Sequence, residues 1–161
     1  DKVAVMRKGK LEQYGTTSDI YDHPRNVFVA GFVGSPMINL IDCTFIETGG
    51  QAFLDAGEFR LNVTELGSKI KARAKRSEMI LGVRPSAINV SDDRQSGECV
   101  EAELYTMEPT GAETVLDAKV GETVLKAIVP PTYSPKKNKL WLTFEEKSLH
   151  VFDRMTQEAI I

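Results

Sequence analysis

The feature that most constrains the fold is the stretch Val27–Leu40, VFVAGFVGSPMINL. Its first seven residues are apolar or glycine, which is typical of a helix that is buried on nearly every side. The segment Gly34-Ser35-Pro36 then ends that helix, because proline interrupts the helical hydrogen-bond pattern. Beyond it, apolar residues alternate with polar ones, as in β-strands. We therefore predict a joint here, with the tail of one domain at residues 1–35 and a β-rich domain at residues 36–161.

The residues before the joint have the pattern of a hairpin and a short helix. Two apolar segments, Lys2–Met6 and Lys10–Tyr14, flank a Lys-Gly turn, as in an antiparallel hairpin. Thr16 and Asp19 have the spacing of a capping box at a helix N-terminus, and Pro24 ends the helix. We expect this tail to belong to a larger domain whose remainder lies outside this sequence.

After the joint, short apolar segments alternate with turn residues to the end of the chain. One helix is expected over Glu65–Arg76, because Leu66, Ile70 and Ala74 share one of its faces. Many short strands with few helices predict a mainly β fold, a small closed barrel of the oligonucleotide/oligosaccharide-binding (OB) type. The main predicted strands are Gln51–Leu54, Glu58–Val63, Met79–Arg84, Ile88–Val90, Cys99–Met107, Thr114–Val120, Thr123–Val129, Leu140–Phe144 and His150–Phe152.

Composition narrows the possible functions. The 161 residues are 42% hydrophobic and 27% charged, as in an ordinary globular protein. No apolar stretch is long enough to span a membrane, and the net charge of −3 gives no overall attraction to nucleic acid or anionic lipid. Cys43 and Cys99 fall in predicted strands without a CxxC pair, so we predict buried free thiols.

No local motif predicts a catalytic or metal site. The chain has neither a GxxxxGK[ST] phosphate loop nor a GxSxG nucleophile motif. His23 and His150 are far apart and have no neighbouring cysteine, which disfavours zinc. Lys69, Arg73 and Arg76 share a helix face, but no aromatic residues for base stacking are interleaved with them. We therefore predict no catalytic residue, cofactor, metal ligand or nucleic-acid partner for this chain.

Three segments rich in turn residues, GSPM, LGVRP and EPTGAE, are less easily assigned to generic turns. Arg84 directly precedes Pro85, and Glu113 closely follows Gly111, which places opposite charges at strand ends. Two hypotheses are open: the two charges pair across the barrel, or they face a partner.

The helix before the joint carries large apolar side chains that need a covering surface. We predict that Phe28, Phe32 and Val33 pack against the barrel or against a second chain. The hinge and interface candidates are therefore Phe28, Phe32, Gly34, Ser35, Pro36, Arg84, Pro85, Gly111 and Glu113.

Taken in order, these segments resemble the ATP-binding subunit of bacterial ABC importers, in the carbohydrate-uptake branch with maltose-type and glycerol-phosphate-type transporters. Residues 1–13, DKVAVMRKGKLEQ, are similar to the pattern D-[RK]-[IV]-x-V-M-x-x-G-x-[IL]-x-Q. Residues 15–24 and 29–36 resemble the helix and hinge that follow. Residues 81–85 resemble a G-[IV]-R-P-E turn, and residues 108–113 resemble the V-E-x-x-G-x-[ED] segment of the C-terminal barrel, called the TOBE domain.

The chain departs from the family pattern at a few positions. Thr17 and Ser18 replace the usual Pro and Glu at the helix start, and residues 37–39 shift a Met-Asn pattern after the hinge. Ser86 stands where a carboxylate often follows Arg-Pro, so the contact of that carboxylate is not expected here.

The resemblance implies a division of labour. The parent subunit would hydrolyse ATP as a homodimer and drive sugar import through membrane-spanning subunits, at the cytoplasmic face of the inner membrane. Its ATP and Mg would be bound by motifs that precede Asp1, so this chain would have no catalytic activity. The barrels would hold the dimer together as a regulatory domain, and in some relatives this surface binds an inhibitory protein.

Three alternatives belong to other functional classes. A barrel that senses a small oxyanion or sugar phosphate would need converging donors, for which Thr110, Ser134 and Lys136 are available. A barrel that binds single-stranded nucleic acid is disfavoured by the charge and by the aromatic content. An autonomous enzyme has the least support, because no catalytic constellation can be named.

Overall fold

The computed structural model describes residues 1–161, beginning with a hairpin and two short helices. Strands β1 (Lys2–Arg7) and β2 (Lys10–Thr16) pair antiparallel, and helices α1 (Thr17–Asp22) and α2 (Val27–Phe32) follow. The predicted capping box is present: the Asp19 amide donates to the Thr16 hydroxyl, and the Thr16 amide donates to the Asp19 carboxylate, both at 3.1 Å.

The rest of the chain forms two antiparallel five-stranded sheets and one longer helix. The first sheet has the order β12-β6-β3-β4-β5 and the second the order β10-β9-β8-β11-β7. The elements are β3 (Asn39–Thr48), β4 (Gln51–Asp55), β5 (Arg60–Asn62), α3 (Thr64–Arg73), β6 (Glu78–Val83), β7 (Ile88–Ser91), β8 (Val100–Pro109), β9 (Thr114–Val120), β10 (Thr123–Val129), β11 (Lys139–Phe144) and β12 (Leu149–Asp153).

The two sheets share one hydrophobic core. Alternate residues of β9 and β10 point into it, which is the period-two pattern of half-buried strands. Twenty-five buried residues from both sheets and α3 form a single cluster. The second sheet curls so that its edge strand β10 lies against β7, giving a half-barrel. The prediction of a mainly β, OB-type fold is thus confirmed.

The observed ends of one helix and one strand, and the position of one cysteine, differ from the predictions. Helix α3 ends at Arg73 and not at Arg76, and Ala74 adopts an extended conformation. The strand predicted over Glu58–Val63 is shorter, because its pairing with β4 extends only over Arg60–Asn62. Cys43 is a buried free thiol, as predicted, whereas Cys99 lies just outside β8 and is only half-buried.

Two helical glycines are predicted to respond in opposite directions to alanine. A Cβ at Gly67 in α3 would lie 2.7 Å from the Ala52 Cβ, so Gly67→Ala should destabilise the protein by about 1–3 kcal/mol through overpacking. A Cβ at Gly31 in α2 would meet nothing within 4 Å. Gly31→Ala should therefore stabilise by roughly 0.5–1 kcal/mol, since alanine restricts the unfolded chain. Urea unfolding of both variants measures the two signs, and a loss at Gly31 or a gain at Gly67 would contradict this packing.

Candidate functional site at the joint

The joint is the region where α1, α2 and residues 33–38 meet the end of β6, and Arg84 is its central side chain. Arg84 is only 4% exposed. Its Nη1 donates hydrogen bonds to the carbonyl oxygens of Ala30 at 3.0 Å and Val33 at 2.6 Å. Its Nη2 donates to the carbonyl of Tyr21 at 2.8 Å. One side chain from the barrel therefore binds the C-terminal ends of both helices of the tail.

This arrangement satisfies groups that a helix cannot satisfy by itself. The last carbonyls of a helix have no partner within it and carry partial negative charge, so a cation is favourable there. The guanidinium also lies over the Tyr21 ring, 4.1 Å from its centroid. Burial lowers the pKa of Arg84, and the nearby Tyr21 and Asp22 oppose that shift. Because arginine keeps its proton in proteins, the group stays a buried cation held by carbonyl dipoles.

The backbone next to Arg84 requires a glycine. Gly34 has a φ of +107°, where residues with a side chain are strained. A Cβ at this position would also lie 3.1 Å from Arg84 Nη1. Gly34 therefore lets the hinge turn sharply while the guanidinium stays close to the chain.

Helix α2 is packed on two sides by different parts of the protein. On one side Ala30 packs with Ile38, Ile80 and the fully buried Phe152 of the barrel. On the other side, Val29 packs with Val5 of the hairpin and Ile20 of α1. Helix α2, which was predicted to be buried, thus lies between the barrel on one side and the hairpin with α1 on the other.

The predicted aromatic candidates of α2 lie away from the barrel. Phe28 and Val33 pack at the edge of the cluster shared with the hairpin, and the Arg7 guanidinium lies 4.9 Å from the Phe28 ring centroid. These two residues pack with the hairpin and α1, and contact of their uncovered surface with a second chain stays a prediction. Phe32 is 62% exposed, so its contact with a second chain stays a prediction.

The hinge and the EPTGAE segment meet in an open cleft of about 480 Å³. Its lining residues are Ser35, Pro36, Met37, Glu108, Thr110, Glu113, Val115 and Lys126. Gly111 turns the chain with a φ of +97°, and Thr110 closes the turn by donating to the Glu113 carbonyl. Glu113 makes no ion pair, whereas Lys126 pairs with Asp117 at 2.8 Å.

The hypothesis that Arg84 pairs with Glu113 is therefore wrong. Arg84 is buried among backbone carbonyls, and Pro85, also buried, begins the turn that leads from β6 to β7. Glu113 lies in the open cleft instead. The other hypothesis, that Glu113 faces a partner, stays a prediction.

Sequence reasoning missed Asn39, whose side chain connects three strands. It is 8% exposed at the start of β3. Its Nδ2 donates to the carbonyls of Val83 at 3.1 Å and Lys126 at 2.8 Å, and its Oδ1 accepts from the Lys126 amide at 2.8 Å. The available signals were the shifted Met-Asn pattern at residues 37–39 and a polar amide directly after the buried Ile38, because the partners of Asn39 are backbone groups.

The basic helix face predicted from Lys69, Arg73 and Arg76 is largely committed within the molecule. Arg73 donates to the carbonyl of Ile160 at 3.1 Å, and Arg76 pairs with Asp153 at 3.5 Å. No group of three or more His, Cys, Asp or Glu residues is placed to hold a metal ion. None of the helices has the length and apolar character that crossing a membrane requires.

His150 gives the joint a predicted pH dependence. Burial, the Arg84 charge and His23 together lower its pKa from 6.5 to about 4, although Asp22 opposes them. Since the unfolded chain binds this proton more readily, stability should be fully present above about pH 6.5 and decline as the pH falls toward about 4. Urea unfolding at several pH values measures this slope.

The matched variant for this prediction is His150→Gln. It should flatten the stability profile between about pH 6.5 and 4, because it removes the group that titrates there. An unchanged slope in that variant would show that other groups produce the pH dependence.

A known domain family matches a segment of the chain that includes part of the joint. The model of the MalK OB fold domain matches residues 34–88, which begin at the hinge and include Asn39 and Arg84. The chain is 34% identical to an uncharacterized ABC transporter ATP-binding protein, y4oS, of Sinorhizobium fredii, over 99% of the chain and 41% of that protein. It is 33% identical to the trehalose/maltose import ATP-binding protein MalK of Thermococcus litoralis, over 99% of the chain and 44% of that protein.

A solved structure shares the fold at low sequence identity. A crystal structure of the cytoplasmic molybdate-binding protein ModG superimposes with a TM-score of 0.52, 14% identity, and coverage of 70% of this chain and 94% of that one. This likeness concerns the fold alone. The two sequence relatives, in contrast, match 99% of this chain. The chain spans less than half of the length of either relative. Over nearly its whole length the chain is thus similar to ABC-transporter ATP-binding proteins, and residues 34–88 carry the MalK OB fold domain.

Proposed function

We propose that this chain is the regulatory and dimerising part of the ATP-hydrolysing subunit of a sugar importer. The observation that carries this proposal is the match of 99% of the chain to ABC-transporter ATP-binding proteins, among them the import protein MalK. In this proposal, ATP and Mg are bound by the remaining part of the subunit, and this chain performs no catalysis. The subunit acts at the cytoplasmic face of the cell membrane and contacts membrane-spanning subunits there.

The structure of the joint supports a mechanical role in that process. Arg84 and the cluster around Phe152 fasten the tail to the barrel through polar and apolar contacts. A movement of the ATPase part would then carry the barrel with it. If two barrels stay in contact, the two ATPase parts remain at a high effective concentration and close on each other without separating.

The cleft beside the hinge supports a regulatory contact. Glu108 and Glu113 take part in no ion pair, and Met37 is 61% exposed. A regulatory protein that brings a basic and partly apolar segment would match this surface. Ser35 and Pro36 line the same cleft, so an occupant would touch the hinge directly.

The alternative of a small-anion sensor is less well supported. The cleft that contains Thr110 also holds two carboxylates, and its lysine is already paired with Asp117. This charge pattern repels an oxyanion. The curated relatives named above are ABC ATP-binding proteins, and ModG shares the fold alone.

Sedimentation of the purified chain over a concentration series tests the dimer. A dimer that persists at micromolar protein would support the barrels as a permanent contact between subunits. Phe32→Ser then tests the exposed aromatic as part of that contact, with Met155→Ser as the control, since Met155 is even more exposed, at 72%, and lies in the turn after β12. A monomer at every concentration would contradict the dimerising role and leave this chain as a docking module.

A further inference from the structure

The Asn39 side chain is the only side chain that hydrogen-bonds backbone groups of both β6 and β10. β10 is an edge strand of its sheet, so the outer amide and carbonyl groups of Lys126 are not hydrogen-bonded to a neighbouring strand, although β7 lies close by. The Asn39 amide takes the place of a paired strand, with one donor and one acceptor. The same NH₂ group also bonds the carbonyl of Val83 in the first sheet.

The hydrogen bonds of Asn39 lie between the cleft on one side and Arg84 on the other. Lys126 lines the cleft that contains Glu113 and the hinge residues. The carbonyl of Val83 belongs to the peptide group that continues into Arg84, and Arg84 holds α1 and α2. A path of hydrogen bonds at Asn39 and covalent bonds at Lys126 and at Val83–Arg84 therefore runs from the cleft to the joint.

We propose that Asn39 is a positioning residue that couples occupation of the cleft to the Arg84 contacts of the joint. In an importer subunit this would make the cleft a control point for the docking of the tail, and that use rests on the proposed function. The coupling itself is a property of this chain and can be measured without transport.

The geometry favours coupling because no polar atom of the amide is free to adjust. Both Nδ2 contacts and the Oδ1 contact are in use, and the side chain is buried. A displacement of β10 by about an ångström either breaks a bond to Lys126 or pulls the amide away from the Val83 carbonyl, and the loss of a buried hydrogen bond is unfavourable.

Arg84 is placed to follow such a shift. Its Nε is buried and has no hydrogen-bond partner, so the guanidinium is fixed by its Nη contacts and by the Tyr21 ring. A tilt of the Val83 peptide moves the base of the Arg84 side chain and changes those Nη distances. The coupling is reciprocal, as any equilibrium coupling between two sites must be.

Hydrogen exchange of the chain, followed by NMR, tests this proposal. Asn39→Leu keeps a similar volume and removes all three hydrogen bonds, including the acceptor of the Lys126 amide. We expect the exchange of the Lys126 amide and of the Arg84 guanidinium protons each to accelerate about tenfold or more, as local opening becomes easier. Faster exchange at Lys126 with unchanged exchange at Arg84 would overturn the proposal, because Asn39 would then be only a local support for β10.

Two further variants keep the result decisive. Asn62→Leu is the matched control, since the Asn62 side chain accepts only from Thr64 and its loss should leave Arg84 exchange unchanged. Arg84→Lys probes the reverse direction and should accelerate exchange of the Lys126 amide by a similar factor. No change at Lys126 in that variant also overturns the proposal, even where Asn39→Leu fails to fold. A monomeric chain in sedimentation would refute dimerisation but not this coupling.

Discussion

Replacing Arg84 with methionine is expected to lower the free energy of unfolding of the joint by about 3 kcal/mol, a large effect for one substitution. Methionine fills much of the same space but donates no hydrogen bonds. The carbonyls of Tyr21, Ala30 and Val33 would then be left without their donor in a partly buried region. The joint should open before the barrel unfolds.

Hydrogen exchange separates these two levels of stability. The amides of Val29 and Ala30 in α2 should lose protection in Arg84→Met, whereas the amide of Ala118 in the core of β9 should keep most of its own. Arg84→Lys should fall between wild type and methionine, because one ammonium has neither the fork geometry nor the stacking of a guanidinium.

The matched control for Arg84 is Arg60→Met. Arg60 is half-exposed and pairs with Asp55 at 3.0 Å. Loss of such a surface pair typically costs about 0–1 kcal/mol. If Arg84→Met cost no more than this control, the Nη contacts with the helix carbonyls would not be what fastens the tail.

Phe152→Ala is expected to destabilise the protein by about 3–5 kcal/mol, the usual range for a buried phenylalanine. Phe152 is fully buried and packs with Ala30, Ile38 and Ile80, so the cavity would open at the contact between α2 and the barrel. Because β12 also pairs with β6, the loss should appear in global urea unfolding as well as in α2 protection.

Phe152→Leu and Phe53→Ala are the two control variants for this second prediction. Leucine retains most of the apolar volume and should cost much less than alanine. Phe53 lies on β4 and is only half-buried, so Phe53→Ala should also cost less. Equal losses for Phe53→Ala and Phe152→Ala would contradict the view that α2 docks through Phe152.

The local elements of this fold could be predicted from the sequence because their causes are local. The capping box of Thr16 and Asp19 and the hairpin that precedes it depend on residues a few positions apart. The strands β9 and β10 follow from alternation and a glycine turn at Gly121. Strand limits were less predictable, since β5 ends where Val63, although bonded to Ala52, leaves the extended conformation to begin α3.

The site was predicted only in part, for a different physical reason. Arg84 and Glu113 were identified as charged residues in turn segments, but Arg84 binds carbonyls that lie 51 to 63 positions away. Because every residue has a backbone carbonyl, the sequence does not indicate which carbonyls Arg84 will bind. The same reason hid Asn39, which is bonded to the backbone of Lys126, 87 positions along the chain.

The order of strands has a consequence for how this protein is made. β12, near the end of the chain, pairs with β6 in the middle, and β6 pairs with β3 at the start of the barrel. The first sheet therefore stays incomplete, with β6 as an open edge, until β12 has left the ribosome. Such distant pairing slows folding and leaves the growing chain exposed to aggregation. A piece cut after residue 88, where the domain match ends, would carry that open edge permanently.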